Sequence, residues 1–335
     1  MWTKEEESKI VVENAWQTRV EGSHEFRLAK KLSVTSSELV RWNKNSFGNT
    51  KEKIKVLEDK LLKIQQAAPT KENLNLEASL NLELDEWLAR KDLRLRQKSR
   101  ELWVKEGDHN SRFFHLSTII RRRRNYISEI KLENGSWIRD REDIQRYFLD
   151  NFSSLYNTSH PQFPKNLESL IQRCVTDQDN LELCRVPSRD EIKKVVFGMK
   201  ALKAPRPDGF PLLFYKHYWD IVGDQLTLVV QGFFRNGWLL KEFNKTVISL
   251  IPKKKGAHNF NHFRLISLCN VCYKVISKII VNRLRPLLNK MIDLAQVAFV
   301  PNRWINENVV LAHEIVHTFK HTGKKKGYLG IKVSN

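Results

Sequence analysis

A fifty-residue segment without a carboxylate is the feature that most constrains what this chain can form. Residues 243–292 contain ten lysines and arginines and no Asp or Glu. Inside this segment, two strand-like runs, TVISLIP at 246–252 and FRLISL at 263–268, bracket the sequence KKKGAHNFN. Solvated surfaces ordinarily mix both signs of charge. The pattern therefore predicts a β-hairpin with a cationic tip that faces a polyanion.

A second basic segment strengthens this interpretation. Residues 90–124 carry 12 basic and four acidic residues, so the two segments together hold 18 of the chain's 20 net positive charges. The 335 residues, with 58 Lys and Arg against 38 Asp and Glu, are enough for two or three domains. A surplus of this size favours nucleic acid over an anionic membrane as the partner.

Composition also sets expectations about the compartment. No apolar run approaches 18 residues, so we expect no membrane span and no membrane partner. The opening MWTKEEESKI lacks the apolar core of a secretion signal, and four cysteines are too few for a disulfide framework. We expect a protein that is intracellular, nuclear or cytoplasmic, and not secreted.

Periodicity along the chain predicts an α+β arrangement in four segments. Residues 1–125 have helical spacing and form a helical, basic linker or extension. Residues 126–160 form a hairpin, indicated by Asn134-Gly135, followed by a helix. Residues 161–185 form a linker, and residues 186–335 alternate helices with short strands.

Local signals place elements within the last segment. Ser188 with Glu191 predicts a capping box, and three prolines make KAPRPDGFP, at 203–211, a structured loop. Helical patterns follow at 212–236, 270–288 and 306–320, and GYLGIKV at 327–333 is strand-like.

Two patterns resemble metal sites. HEIVH, at 313–317, matches the HExxH of zinc hydrolases and has His321 on the same face, but a five-residue match is weak evidence beside an ordinary amphipathic helix.

The second pattern is H-x3-H-x6-C-x2-C, formed by His258, His262, Cys269 and Cys272. Here an apolar strand separates the two pairs, which favours cysteines packed as small apolar residues. For Cys174 and Cys184, unpaired structural thiols are also the favoured interpretation.

Cations next to aromatic residues point to nucleic acid. Lys253 to Lys255 at the hairpin tip, with Arg264 on the returning strand, suit a triphosphate or a backbone phosphate, although a solvated turn would also tolerate three lysines. Trp103, Phe113 and Phe114 lie among cations, as single-strand binding requires, but they could equally be core residues. Arg121, Arg122, Arg123 and Arg124 are further candidate nucleic-acid-binding residues.

Six blocks of the sequence, in order, carry a family resemblance. They are LWVKEGDHNSRFFHLSTIIRRRRN, KALKAPRPDGFP, VISLIPKKKG, HFRLISLCNVCYKVISKIIVNRLR, QVAFVPNRWINENVVLAHEIVH and GYLGIKV. The chain thereby resembles the reverse transcriptase region of LINE-type non-LTR retrotransposons of the plant lineage. The resemblance implies an RNA-directed DNA polymerase with a right-hand fold, in which the fingers and the beginning of the palm start at about Val186 and follow the helical basic extension.

The same resemblance implies roles for named residues. Lys253, Lys254, Lys255 and Arg264 would hold the triphosphate of the incoming nucleotide. Gln296, Phe299, Val300 and Arg303 would lie beside template and primer. The implied partners are RNA, DNA or an RNA–DNA hybrid, with the oligomeric state left open.

Four positions depart from the family pattern. Arg206 and Asn302 stand where the family has glycine, Leu265 stands where it has proline, and Ser334 stands where it has its first catalytic aspartate. Polymerases of this type hold two Mg²⁺ ions with carboxylates, and here no Asp-Asp pair occurs and Asp293 is the only aspartate after Asp224. We therefore expect no catalytic residue, metal or cofactor in this chain, in contrast to the intact family with its Mg²⁺.

Three interpretations of function remain open. The first is a reverse transcriptase fragment, catalytically inactive, that retains nucleic-acid binding. The second is the front part of an active reverse transcriptase completed by downstream sequence. The third is an RNA-binding module adopted by the host. In the first two, apolar faces of the C-terminal half lack part of their covering, and we expect this half to be marginally stable.

Overall fold

The computed structural model describes residues 2–47, 49–99, 111–157, 162, 166, 173–201, 207–321 and 331. Contacts divide the chain into two compact units. The first unit comprises Met1–Pro161 and Val186–Ile276, and the second comprises Gln162–Arg185 and Ser277–Asn335. The two units are defined by contacts in space, whereas the four predicted segments are consecutive stretches of the chain. The division into four segments stays a prediction.

The N-terminal part of the first unit is helical. Its described residues form the α-helices α1 (Glu6–Trp16), α2 (His24–Trp42), α3 (Thr50–Gln65), α4 (Lys71–Ser99) and α5 (Ser111–Asn125). Ser23 caps α2 by accepting a hydrogen bond from the backbone N–H of Phe26, and the predicted cap Thr70 accepts from the N–H of Asn73 at the start of α4. Helices α3 and α4 pack through a separate apolar cluster that contains Ile54, Leu57, Leu61, Leu80 and Trp87.

The main core of the first unit joins early and late parts of the chain. Three later helices, α8 (Arg189–Gly198), α9 (Leu212–His217) and α10 (Trp219–Asn236), pack with one another, and α10 also packs against α1 and α2. The hydroxyls of Ser8 and Tyr218 are hydrogen-bonded at 2.6 Å in this interior. Burial of this face holds the N-terminal helices against α10.

One predicted helix is divided in the structure. The sequence predicted a continuous helical segment over 212–236, but Tyr218, with φ −101° and ψ 30°, separates α9 from α10. The predicted cap at Ser188 is present, because its hydroxyl accepts from the N–H of Glu191 at 3.1 Å.

Both predicted hairpins are confirmed. Strand β1 (Ile130–Lys131) pairs antiparallel with β2 (Trp137–Ile138), and β3 (Thr246–Pro252) pairs antiparallel with β4 (Phe263–Cys269). Between the hairpins in sequence lies α6 (Arg141–Tyr156), with Asp140 capping its start by accepting from the N–H groups of Glu142 and Asp143. A short helix, α11 (Lys241–Asn244), precedes β3.

Among the residues that the structure describes, the second unit contains the remaining α-helices. These are α7 (Asp177–Cys184), α13 (Leu288–Met291), α14 (Ile305–His321) and the end of α12 (Val271–Leu284), which begins in the first unit. The guanidinium of Arg283 donates to the carbonyl oxygens of Leu183, at 3.1 Å, and Arg185. Helix α12 lies within the helical pattern predicted at 270–288, although it ends at Leu284, and α14 covers the pattern predicted at 306–320. Of the strand predicted over 327–333, the structure describes only residue 331.

Within the described ranges the protein is mostly helical, with two two-stranded sheets. No helix there is both long enough and apolar enough to cross a bilayer.

Candidate nucleic-acid interface

The tip of the β3–β4 hairpin is held by a short set of hydrogen bonds. Ile251 lies opposite Arg264, and Pro252 lies opposite Phe263 at the last pair of the ladder. Beyond it, the N–H of Lys253 donates to the carbonyl of His262, and the ammonium of Lys253 donates to the carbonyl of Asn261, both at 2.8 Å. Lys253 therefore closes the loop in addition to carrying charge.

The loop between the strands has a defined backbone. Gly256 has φ +66°, in the left-handed region where a Cβ would be strained. The side-chain oxygen of Asn259 accepts from the N–H of Asn261 at 3.1 Å, which forms an Asx turn. These bonds give the cationic tip, defined as Lys253–Lys255, a fixed orientation.

His262 belongs to the same turn and favours its neutral form. Its Nδ1 accepts a hydrogen bond from the N–H of His258 at 3.3 Å, a role that a protonated Nδ1 could not fill. Partial removal from water and then the charges of Lys254, His258 and Lys253 lower the pKa of His262. The local field at the loop is thus positive.

Three cations at this end of the hairpin are available to a ligand. Lys254, Lys255 and Arg264 are exposed, and none of them has a hydrogen bond or an ion pair with another residue that the structure describes. Two mobile ammonium groups beside a planar guanidinium suit phosphate oxygens, which accept from both kinds of donor.

The first hairpin and α6 support the second hairpin. The N–H of Lys131 donates to the carbonyl of His258 at 2.8 Å, and the rings of Trp137 and His258 lie 5.6 Å apart. Underneath, Phe148 of α6 packs edge-on against Phe263, with 5.3 Å between ring centroids. Because the tip is seated on this aromatic cluster, its cations project from a rigid base.

Sequence reasoning missed the supporting residues. Trp137 is an aromatic residue beside the Asn134-Gly135 turn, but no local pattern indicates that it reaches His258, about 120 positions later. Asp208 was also missed. It accepts a hydrogen bond from the hydroxyl of the fully buried Tyr215 at 3.0 Å and so holds the described end of the 203–211 loop against α9.

The arginine run ends α5 and lies near strand β3. Arg122, Arg123 and Arg124 are exposed in the last turn of the helix, whereas Arg121 is partly buried. Helix α5 contacts β3, and Arg122 lines a groove together with Ile248 and Leu250 of that strand. The fold therefore brings part of the first basic segment to the hairpin of the second.

The predicted template-side residues lie in the second unit and differ in their surroundings. Phe299 is completely exposed. The guanidinium of Arg303 donates to the main-chain carbonyls of Ile292 at 3.0 Å, Gln296 at 2.7 Å and Asp293. Gln296 donates to the carbonyl of Ala298 at 3.3 Å, and Val300 is buried. Arg303 thus organises the 292–303 loop.

Two residues of this loop have a left-handed backbone conformation. Phe299 has φ +65° and Asn302 has φ +62°. Asn302 stands where the resembling family has glycine, and asparagine is the residue that tolerates this conformation best after glycine. The turn is therefore compatible with the substitution, at a modest conformational cost.

The two metal-like patterns are arranged differently in space. The rings of His258 and His262 are 5.0 Å apart, but Cys269 lies at the far end of a seven-residue strand, about 20 Å from His262. Cys272 is buried, and desolvation raises the pKa of its thiol far above the ordinary value. In α14, His317 and His321 have ring centroids 4.2 Å apart on a solvent-exposed helix. No group of three or more potential ligands that could hold a metal occurs among the described residues.

Several predicted residues fall outside the described ranges. These include Trp103, the loop positions up to Arg206, and Ser334; the side chain of Phe114 is likewise not described. Phe113 lies within α5 and is half-buried.

The chain is similar to a transposon protein. No family model matches it. Over 296 residues, 87% of this chain, it is 27% identical to the "Transposon TX1 uncharacterized 149 kDa protein" of Xenopus laevis. The chain spans only 22% of that protein's length. It is therefore a relative of part of a transposon-encoded protein.

Proposed function

We propose that this chain is the fingers and the beginning of the palm of a non-LTR retrotransposon reverse transcriptase, and that it binds RNA, DNA or an RNA–DNA hybrid through the β3–β4 hairpin. The similarity to a transposon protein supports an origin in a transposable element. The six motif blocks support the reverse transcriptase assignment and the right-hand fold.

One observation carries the binding proposal. Lys254, Lys255 and Arg264 converge on one end of a hairpin that is fixed by its own turn and by the aromatic cluster beneath it. Like charges at one end of a hairpin repel one another, and a bound polyanion would relieve that repulsion. A phosphate chain or a triphosphate provides that charge.

The chemistry of the proposed family is RNA-templated DNA synthesis with Mg²⁺ held by aspartates. The neutral hydroxyl of Ser334 does not replace a carboxylate as a ligand for a hard cation. We propose that this chain binds nucleic acid without extending a primer. Purified chain, a primed RNA template, Mg²⁺ and nucleotides should give no template-dependent extension, and extension products would contradict this part.

The test of binding is fluorescence anisotropy with a labelled RNA–DNA hybrid across a salt series. Each neutralised phosphate contributes about −0.9 to the log–log slope on duplex DNA and about −0.7 on single strands. Replacing Lys254, Lys255 and Arg264 with alanine should make the slope shallower by about two to three phosphates.

The matched control removes equal charge elsewhere in the first unit. Lys55, Lys60 and Lys63 are exposed on α3, where acidic residues alternate with them. Their triple alanine variant should keep the slope of the original chain. Equal losses in the two variants would show that only net charge matters, and this result would overturn the proposed site.

A further inference from the structure

An open groove lies beside the hairpin, on the side of strand β3 that faces α6. Its volume is about 860 Å³, and its floor contains Phe148, Phe152 and Leu250. The groove is bounded by the end of α5, by Arg139 just after β2, by α6 and by β3, all within the first unit. Since Leu250 lines the groove and lies three residues before Lys253, the groove begins about 10 Å from the cationic tip.

The charge around this groove has one sign. Arg122, Arg139 and Arg141 line it, and no Asp or Glu is among the described lining residues. Arg139 is paired with Glu129 at 3.0 Å. Arg122 and Arg141 have no hydrogen bond or ion pair with any other residue in the described ranges. Two guanidinium groups at the rim are thus free to bind an anion.

A row of aromatic rings along α6 leads from the groove floor to solvent. Phe148 and Phe152 are nearly parallel, at 18° and 6.1 Å, and Phe152 and Tyr156 follow at 23° and 6.4 Å. Exposure increases along this row, from 5% for Phe148 to 69% for Tyr156. The outer face of the Tyr156 ring is therefore open for stacking.

A second tyrosine lines the same groove. Tyr126 directly follows Asn125, the last residue of α5, and is 76% exposed. Large aromatic side chains left in water beside free arginines are the combination with which proteins bind unpaired bases, since a base stacks on the ring while cations hold the phosphates.

We propose that this groove binds single-stranded nucleic acid, with bases stacked on Tyr126 and Tyr156 and phosphates held by Arg122 and Arg141. The inference rests on the proposed nucleic-acid function and adds a separate, base-dependent site to the phosphate-binding tip. An apolar peptide would also fit the floor, but the cationic rim without lining carboxylates favours a polyanion.

Two short probes separate stacking from phosphate binding. One is a labelled oligothymidylate of about ten nucleotides, and the other is an abasic oligonucleotide of the same length, which keeps the phosphates and lacks the bases. The original chain should bind the first more tightly. Replacing Tyr126 or Tyr156 with alanine should weaken oligothymidylate binding about fivefold or more for each tyrosine, and should leave abasic binding unchanged.

The matched variants Tyr126→Phe and Tyr156→Phe keep the ring and remove only the hydroxyl, so both should retain binding. Equal affinity of the original chain for the two probes would overturn the groove proposal. Equal loss of affinity for both probes in the alanine variants would also overturn it. Hybrid binding through the cationic tip is measured in every variant. If it persists while base dependence is absent, the groove proposal alone fails; if no probe binds even the original chain, the proposed function fails with it.

Discussion

The β3–β4 hairpin and helix α14 are both amphipathic and carry basic side chains, yet they differ in how they are supported. One face of the hairpin packs on an aromatic cluster formed by α6 and the first hairpin. In α14, by contrast, every side chain from 306 to 321 is exposed, including Val310, Leu311 and Val316. An apolar pattern is sufficient to predict an element, but packing against partners is what fixes its side chains. The hairpin therefore has the properties of a preorganised binding surface, and α14 does not.

The largest expected effect on stability concerns the aromatic cluster under the β3–β4 hairpin. Replacing Phe148 with alanine should lower the free energy of unfolding of the first unit by about 3–5 kcal/mol, because a buried aromatic ring is lost beneath Phe263. Leu311→Ala in α14 should cost less than about 0.5 kcal/mol, apart from its small helix-propensity effect. Denaturant unfolding measures the stability of both variants. Similar losses of stability would contradict the claim that the hairpin is supported by packing and α14 is not.

A smaller loss is expected where β4 joins α12. The buried side-chain nitrogen of Asn270 donates to the carbonyls of Glu242, at 2.7 Å, and Phe243, at 3.2 Å. Asn270→Ala should lower the free energy of unfolding of the first unit by about 2 kcal/mol, because these buried carbonyl acceptors lose their donor. Asn244→Ala, at an exposed asparagine in the same region, should be nearly neutral. An equal effect of the two substitutions in chemical denaturation would contradict this assignment.

The 292–303 loop, which precedes α14 in the second unit, allows two substitutions of one exposed residue to be compared. Phe299 is completely exposed and has φ +65°, so its side chain makes the backbone conformation costly without packing in return. Phe299→Gly should be more stable than Phe299→Ala by about 1 kcal/mol, since alanine keeps the Cβ that causes the strain. Thermal unfolding of the pair provides the measurement. A more stable alanine variant would show that the turn has another conformation.

The smallest effect concerns the pH response of the tip. Because the pKa of His262 is lowered in the folded chain, the unfolded chain takes up the proton first as the pH falls. Its contribution to stability is therefore complete above the unfolded pKa of about 6.5 and decreases as the pH falls below that value. An NMR titration of the His262 ring should give a midpoint below the ordinary value. A midpoint at or above it would contradict the hydrogen bond accepted by Nδ1.

Local sequence signals were sufficient to predict both hairpins. Contacts between residues far apart in the chain could not be predicted. Asn134-Gly135 and the alternation around KKKGAHNFN fix the turns within a few residues of the chain. The break at Tyr218 escaped prediction, since its hydroxyl bonds to Ser8, 210 positions earlier. For the same reason the sequence assigned three equivalent lysines to the tip, whereas Lys253 closes the loop and Lys254 and Lys255 extend from it.

The groove illustrates the same limit. Its arginines and tyrosines come from the end of α5, from positions just after α5 and β2, and from α6, and only the fold brings them beside strand β3. Arg122 was a candidate from its basic neighbours, but Tyr126, Arg141 and Tyr156 have no distinguishing local motif.

The most direct test of the central claim is chemical labelling of lysine amines, with and without an RNA–DNA hybrid, analysed by mass spectrometry. Lys254 and Lys255 should react readily in the free chain and become protected by the hybrid, while the exposed Lys55, Lys60 and Lys63 of α3 should react equally in both states. Lys253 should react slowly even without nucleic acid, because its ammonium is hydrogen-bonded to Asn261. Protection of α3 to the same extent as the tip, or no protection of Lys254 and Lys255, would contradict a nucleic-acid site at the hairpin.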